Sequence, residues 1–225
     1  MSVTLDTLRR QIDNLDEQIL DLLNRRAELI PAIVEEKKKA GAAAVQPARE
    51  AAILRRLAKK QTGPFPRESV IRIWREIIGA SSLMQTPQKV AVCVDNFDEG
   101  LLNWDLAKDY FSSIMPIHRA ANVLGALASV REGEATFAVL PWPKIEDSSP
   151  WWLQLMSETG EFPMRIVARL PLGDPGPADR HPAHKALVVA RLTYQPSGED
   201  CSFIALDLDH NVSRTRILDR ARLMD

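Results

Sequence analysis

No apolar run in this chain approaches the roughly eighteen residues of a membrane span, and the N-terminus starts on an amphipathic stretch with no charged-then-apolar leader. A cytoplasmic protein with no membrane partner is expected. Cysteine is scarce: Cys93 and Cys201 lie far apart with no Cys or His at metal spacing, so both are expected to be free thiols. His118, His181, His184 and His210 form no ligand pattern, and neither a metal nor a cofactor is expected. An excess of one charge sign is also missing, since the formal net charge is −1 over 225 residues. The balance hides an asymmetry, with 15 Lys and Arg against 11 Asp and Glu in residues 1–88 and 14 against 19 in residues 89–225. The basic first part suits a small anion. Nucleic acid is not expected, because the bases are interleaved with acids and no stacking aromatics accompany them. With 45% hydrophobic residues the chain can bury one or two cores and shows no compositional sign of disorder.

The stretch Leu5–Lys39 organises the rest. Leu5, Leu8, Ile12, Leu15, Ile19, Leu22, Leu29 and Ile33 step by threes and fours, with one interruption at Arg26. A guanidinium in an apolar stripe is costly unless an anion meets it, and either a ligand or a carboxylate on a neighbouring helix would serve. A single helix over this stretch would run roughly 50 Å at 1.5 Å per residue, longer than a domain of this size is wide. It therefore needs a partner along its length, and a second copy of the chain is expected. Lys37 lies about three full turns beyond Arg26 and shares its face, whereas Arg9 points about 100° away and should serve another surface. Pro31 is expected to kink the helix.

Ala40 to Val45 reads as a loop, and Pro47 stands where the first turn of a helix tolerates proline. A second helix is expected over Ala48–Lys60 with Ile53 and Leu57 facing inward. After Gly63, Pro64 and Pro66, a third carries Val70, Ile71, Ile73, Trp74, Ile77, Ile78 and Leu83, with Ser81 and Gln85 four apart on one face. Each of these polar residues alone would pass as an ordinary helical side chain.

Together, Leu8-Arg9, Ile12, Leu15-Asp16, Leu22-Leu23, Arg25-Arg26, Lys37, Pro47-Ala48-Arg49-Glu50 and Ile77-Ile78 through Ser81 to Gln85 resemble the all-helical class of chorismate mutases, over about residues 3 to 87. The resemblance implies three helices per chain intertwined with a second chain in a six-helix homodimer. The substrate would be chorismate, rearranged to prephenate in aromatic amino-acid biosynthesis, with no nucleophile, metal or cofactor. It assigns catalytic roles to Lys37, Gln85, Arg49 and Glu50, and substrate binding to Arg26, Ser81 and Gln46, with Arg9 reaching in from the other chain. Arg9 and Arg26 would clamp the two carboxylates, since a guanidinium holds carboxylate by two bonds in a fixed plane. Lys37 and Gln85 would donate to the ether oxygen as charge grows on it, and Glu50 would accept from the ring hydroxyl. Gln46 stands where many relatives have an acid, which implies altered substrate affinity. An isochorismate pyruvate-lyase-type enzyme needs a similar cationic pocket and is the enzymatic alternative; a non-catalytic regulatory dimer is another.

From Pro87 the pattern changes to short apolar runs alternating with helical stretches, which points to a small α/β domain over residues 89–225. Strands are expected at Lys89–Val94, Thr136–Leu140, Met164–Leu170, Ala186–Leu192 and Phe203–Leu208; helices are expected at Leu106–Ser113, Ala121–Val130 and from Ser213. Ala121 to Gly133, the run Phe137 to Pro141, Leu187 to Arg191 and Pro196 to Asp200 resemble a prephenate dehydratase domain. Its hallmarks are replaced. Asp95-Asn96-Phe97-Asp98-Glu99-Gly100 occupies the place of the glycine-rich loop, and His184-Lys185-Ala186 that of the Thr-Arg-Phe triplet. A degenerate, catalytically inactive dehydratase-like domain is expected, and residues 1–88 are expected to suffice for mutase chemistry. Because only Arg26 occupies the apolar seam, Arg26→Ala is expected to lower turnover of chorismate far more than Arg25→Ala, as steady-state assays of the two variants will show.

Overall fold

The computed structural model describes residues 4–95, 97–144, 150–160, 162–172, 184–193, 195–203, 213, 215, 217, 219 and 220. Thr4 caps the first helix, its hydroxyl accepting from the Thr7 N–H at 3.3 Å. Helix α1 runs Leu5–Glu28 and α2 runs Ile30–Lys39, so the expected single helix is two, parted at Leu29. The cause is Pro31, which has no N–H to offer the preceding turn; the helical ladder restarts with Ile33 N–H to the Leu29 carbonyl at 3.1 Å. Gly41, at φ 60°, lets the chain turn out of α2. Helix α3 spans Pro47–Lys60 with proline in its first turn, and α4 spans Arg67–Gln85.

Two details of the helical part differ from expectation. On α3 the buried residues are Leu54 and Ala58, not Ile53 and Leu57, which stay half-buried. The buried face lies one residue on from the expected one, next to Arg55, whose Nη2 donates to the Ser197 carbonyl of the C-terminal part. The apolar stripe of α1 and α2, by contrast, is uncovered within one chain. Leu5 is 61% exposed, Ile12 57%, Ile19 56% and Leu22 62%, and α1 buries no residue at all. At 24 residues it outruns α3 and α4, with 14 and 19, so no described helix of its own chain is long enough to cover it.

The C-terminal part contains a mixed five-stranded sheet in the order β2-β1-β3-β5-β4. Strand β1 is Val90–Cys93, followed by helix α5 (Phe97–Phe111), β2 (Ile117–Ala120), α6 (Val123–Arg131) and β3 (Phe137–Pro141). A short helix α7 (Trp152–Met156), β4 (Arg165–Leu170) and β5 (Ala186–Ala190) complete the described elements. Strands β2, β1 and β3 are parallel, and β5 runs antiparallel to both β3 and β4. Successive residues of each strand face opposite sides. Val90, Val92 and Val139 therefore meet Ala107, Tyr110 and Phe111 of α5, while Ala91, Cys93 and Ala138 meet Ala126, Leu127 and Val130 of α6 on the other face.

The expected strands at 89–94, 164–170 and 186–192 are found shortened, and that at 136–140 is found shifted by one residue, to Phe137–Pro141. The expected helix Leu106–Ser113 is the second half of α5, which begins nine residues earlier, just past the end of β1. Asn122 caps α6, accepting from the Gly125 N–H at 2.8 Å. Strand β2 and helix α7 went unanticipated: Ile-His-Arg-Ala has no apolar alternation to announce it, and five residues are too few to show a helical period. Of the expected strand Phe203–Leu208, all but Phe203 lies outside the described residues. Of the expected final helix, Thr215, Ile217, Asp219 and Arg220 are helical and the Ser213 carbonyl accepts from the Ile217 N–H at 3.3 Å, while the remaining positions lie outside the described residues.

The two parts meet where α4 crosses the end of α5. Gly79 allows this, since a Cβ built on it lies 2.6 Å from the Phe111 carbonyl oxygen. Ser112 turns the chain away at φ 84°. Gly79→Ala is expected to destabilise the chain by about 1–3 kcal/mol through this overpacking, read as a lowered denaturant midpoint in urea unfolding followed by circular dichroism.

Candidate functional site

The site assembles from α1, α2 and α4. Arg26 and Lys37 lie on one face despite the break at Leu29, because Leu29 itself keeps helical angles (φ −78°, ψ −15°). They reach two residues one turn apart on α4. Arg26 Nη1 donates to the Ser81 hydroxyl, which passes its own proton toward the Ile77 carbonyl at 2.6 Å. Lys37 Nζ donates to the Gln85 amide oxygen at 2.7 Å and to the Ala44 carbonyl at 2.5 Å, the latter pinning the loop that leads into α3. Gln85 is oriented at its other end, Nε2 donating to the Ser81 carbonyl at 3.1 Å. Both cations are half-buried, and among the described residues their partners are neutral oxygens, not carboxylates. Burial lowers the pKa of Arg26, and burial lowers that of Lys37 against the opposing pull of Glu50.

Glu50 sits in the first turn of α3, its carboxylate 20% exposed and ion-paired to Arg75 of α4 at 3.3 Å. Burial pushes its pKa up, while the guanidinium of Arg75 and the ammonium of Lys37 pull it down. Arg75 is itself 5% exposed and lies over the ring of Tyr110, 4.0 Å from its centroid. A small cavity lies beside this pair, lined in part by Glu50, Arg75, Gln88 and Tyr110.

The other expected residues are placed less tightly. Gln46 is the residue before α3, half-buried, its carbonyl accepting from the Glu50 N–H at 3.1 Å. Arg49 is exposed in the same turn. Arg9 stands far down α1, 66% exposed beside Asp6 at 3.7 Å, and does not join the others within the chain. Sequence reasoning missed Arg75 and Tyr110. The signal for Arg75 was present, since Ile71 and Ile78 flank it at four and three residues, the same apolar setting that drew attention to Arg26.

Residues 8–86 match the family described as chorismate mutase type II, so the helical part carries a domain of that family. Among curated proteins the chain is 41% identical over 95 residues to the bifunctional chorismate mutase/prephenate dehydratase of Neisseria gonorrhoeae, covering 40% of this chain and 26% of that protein. It is 27% identical over 190 residues to the protein of the same name from Stutzerimonas stutzeri, covering 78% of this chain and 50% of that protein. The chain thus spans half or less of the length of these relatives. A solved structure, chorismate mutase (form I) from Thermus thermophilus, is 32% identical and covers 34% of this chain and 96% of that one, with a TM-score of 0.33. The homology continues past the helices, and no described helix is long and apolar enough to cross a membrane.

The electrostatics give a direct check. Lys37 is expected to lose its proton at lower pH than an ordinary lysine, because burial disfavours the ammonium. Glu50 opposes that shift, so Glu50→Gln is expected to lower it further. A nitrogen-detected NMR titration of the lysine side chains reads both; a Lys37 that titrates like free lysine in each protein would contradict the burial described.

Proposed function

We propose that this chain rearranges chorismate to prephenate for aromatic amino-acid biosynthesis in the cytoplasm, and that two copies form the active dimer. The observation that carries the reading is the pair Arg26 and Lys37 held over Ser81 and Gln85 by neutral oxygens, which leaves half-buried positive charge for a dianion to meet. The reaction is a one-substrate rearrangement, so the protein contributes geometry and charge. Arg26 and Ser81 hold one carboxylate, and Arg9 of the second copy holds the other, which together fold the enolpyruvyl arm over the ring. Support for the second copy is the uncovered row Leu5, Leu8, Ile12, Leu15, Ile19 and Leu22, on the same stretch of helix as Arg9.

Lys37 has three N–H groups and meets two acceptors among the described residues, and the Gln85 amide has two N–H groups and meets one. The remaining donors turn to the ether oxygen as its bond breaks and negative charge develops there. Each such donor contributes about 3–4 kcal/mol to the transition state. Glu50 accepts from the ring hydroxyl with the oxygen not paired to Arg75, and Arg49 and Gln46 serve from the start of α3.

For the C-terminal part we propose that no dehydratase chemistry occurs. Support comes from the start of α5, where Phe97 to Gly100 form helix in the place of a glycine-rich loop. It comes also from His184, which stands at the expected threonine and is engaged with Asn103 Oδ1 at 2.9 Å. The purified chain is expected to consume chorismate and form prephenate, to leave isochorismate intact, and to sediment as a dimer. Loss of isochorismate alone would favour the lyase, and no turnover of either a binding role. Prephenate offered to the chain is expected to decay no faster than in a protein-free control; enzyme-dependent phenylpyruvate would make the C-terminal part a working dehydratase.

A further inference from the structure

Among the described residues Glu50 is the carboxylate in the proposed pocket, and a residue outside the substrate-binding set is paired to it. Arg75 Nη1 lies 3.3 Å from Glu50 Oε2, on a side chain 5% exposed to solvent. Behind Arg75 stands Tyr110 of α5, itself 8% exposed and set edge-on against Phe111 with ring centroids 4.8 Å apart. Arg75 Nη2 meets no oxygen acceptor among the described residues; the face of Tyr110, 4.0 Å from Cζ, takes that place. The guanidinium is therefore held between a carboxylate of the helical part and an aromatic ring of the C-terminal part.

We propose that Arg75, braced by Tyr110, is the positioning residue that aims the Glu50 carboxylate at the substrate, so that the C-terminal part completes the mutase pocket. This rests on the mutase reading and deepens it. With Oε2 paired to Arg75, Oε1 is the oxygen left for the ring hydroxyl, and the pairing favours that one orientation of the carboxylate. The pair also opposes the burial that pushes the pKa of Glu50 up. Facing Glu50 are Arg75 from α4 and Lys37 from α2, with Tyr110 from α5 beyond Arg75. Burial raises the pKa of Tyr110, so it stays neutral through the neutral range. Burial raises that of Glu50 too, and Arg75 is the larger of the two cations opposing it. Removing Arg75 lets Glu50 take a proton at higher pH, and a protonated Glu50 no longer accepts well from the hydroxyl. The acid limb of kcat/KM should then move upward in pH. On this view a chain cut at residue 88 loses Tyr110 and bares Arg75, contrary to the expectation that residues 1–88 suffice.

The test is a double-mutant cycle on the full-length chain with chorismate as substrate. Arg75→Met is expected to lower kcat/KM roughly ten- to a hundredfold and to shift the acid limb upward, whereas in a Glu50→Gln background the same change should cost less than about twofold. Arg75→Lys should restore part of the loss. Tyr110→Leu should shift the acid limb in the same direction by less, and Tyr110→Phe, which keeps the ring, should bring it back. An equal loss from Arg75→Met in both backgrounds, or an acid limb unmoved by Tyr110→Leu, overturns the inference. Should Arg75→Met fail to fold by circular dichroism, Arg75→Lys and Tyr110→Leu decide it alone. A wild-type chain that turns over no chorismate refutes the mutase reading itself and this inference with it; an active wild type with unmoved variants refutes only the inference.

Discussion

Half-buried cations whose hydrogen-bond partners among the described residues are neutral oxygens are the constraint on which this structure turns. Arg26 meets a serine hydroxyl, and Lys37 meets a backbone carbonyl and an amide oxygen. Such partners orient an N–H group without neutralising its charge, so the cost of partial burial is left standing and shows as the lowered pKa of both groups. Under the proposed reading, that cost is what an arriving dianion would recover. The break at Leu29, the loop pinned at Ala44 and the ladder of α4 all serve to hold the two cations a fixed distance apart.

Arg75 shows the opposite solution a few ångströms from Glu50. Deeper in the protein, a guanidinium is matched by a carboxylate and an aromatic face, the arrangement expected of a structural charge. The contrast separates the two arginines by role. One meets only a neutral hydroxyl, and the other is paired to a carboxylate. That second pairing depends on α5 lying against α4, which in turn depends on Gly79 having no side chain where the Phe111 carbonyl passes. The sheet beneath supplies the platform, since Val90 and Val92 of β1 and Phe137 and Val139 of β3 fix α5 by one face while α6 covers the other.

Within the helical part, hydrophobic period and proline placement make most of the architecture legible. The step of three and four residues from Leu5 to Ile33 marks a helix, Pro47 marks the start of α3, and Ser81 and Gln85 four apart mark one face of α4. The shared face of Arg26 and Lys37 follows from the turn angle alone, and they do reach one row of α4. Less was legible where an element is short or its buried face lies beside a distant neighbour. β2 carries no alternation, α7 no full period, and Leu54 is buried in place of Ile53, next to the Arg55 that donates to the Ser197 carbonyl.

Sequence alone determined that the N-terminal part is helical, that its first helix bears a long apolar row, and that a cation interrupts that row. These are consequences of local periodicity, which any stretch of chain carries with it. It could not say which buried arginine meets a carboxylate. Arg26 and Arg75 occupy the same kind of position in their rows, yet the partner of the first comes from 55 residues away and that of the second from 25. Only tertiary structure decided it, because the charge state a buried group can hold is set by whatever packing brings beside it, and packing is not a local property.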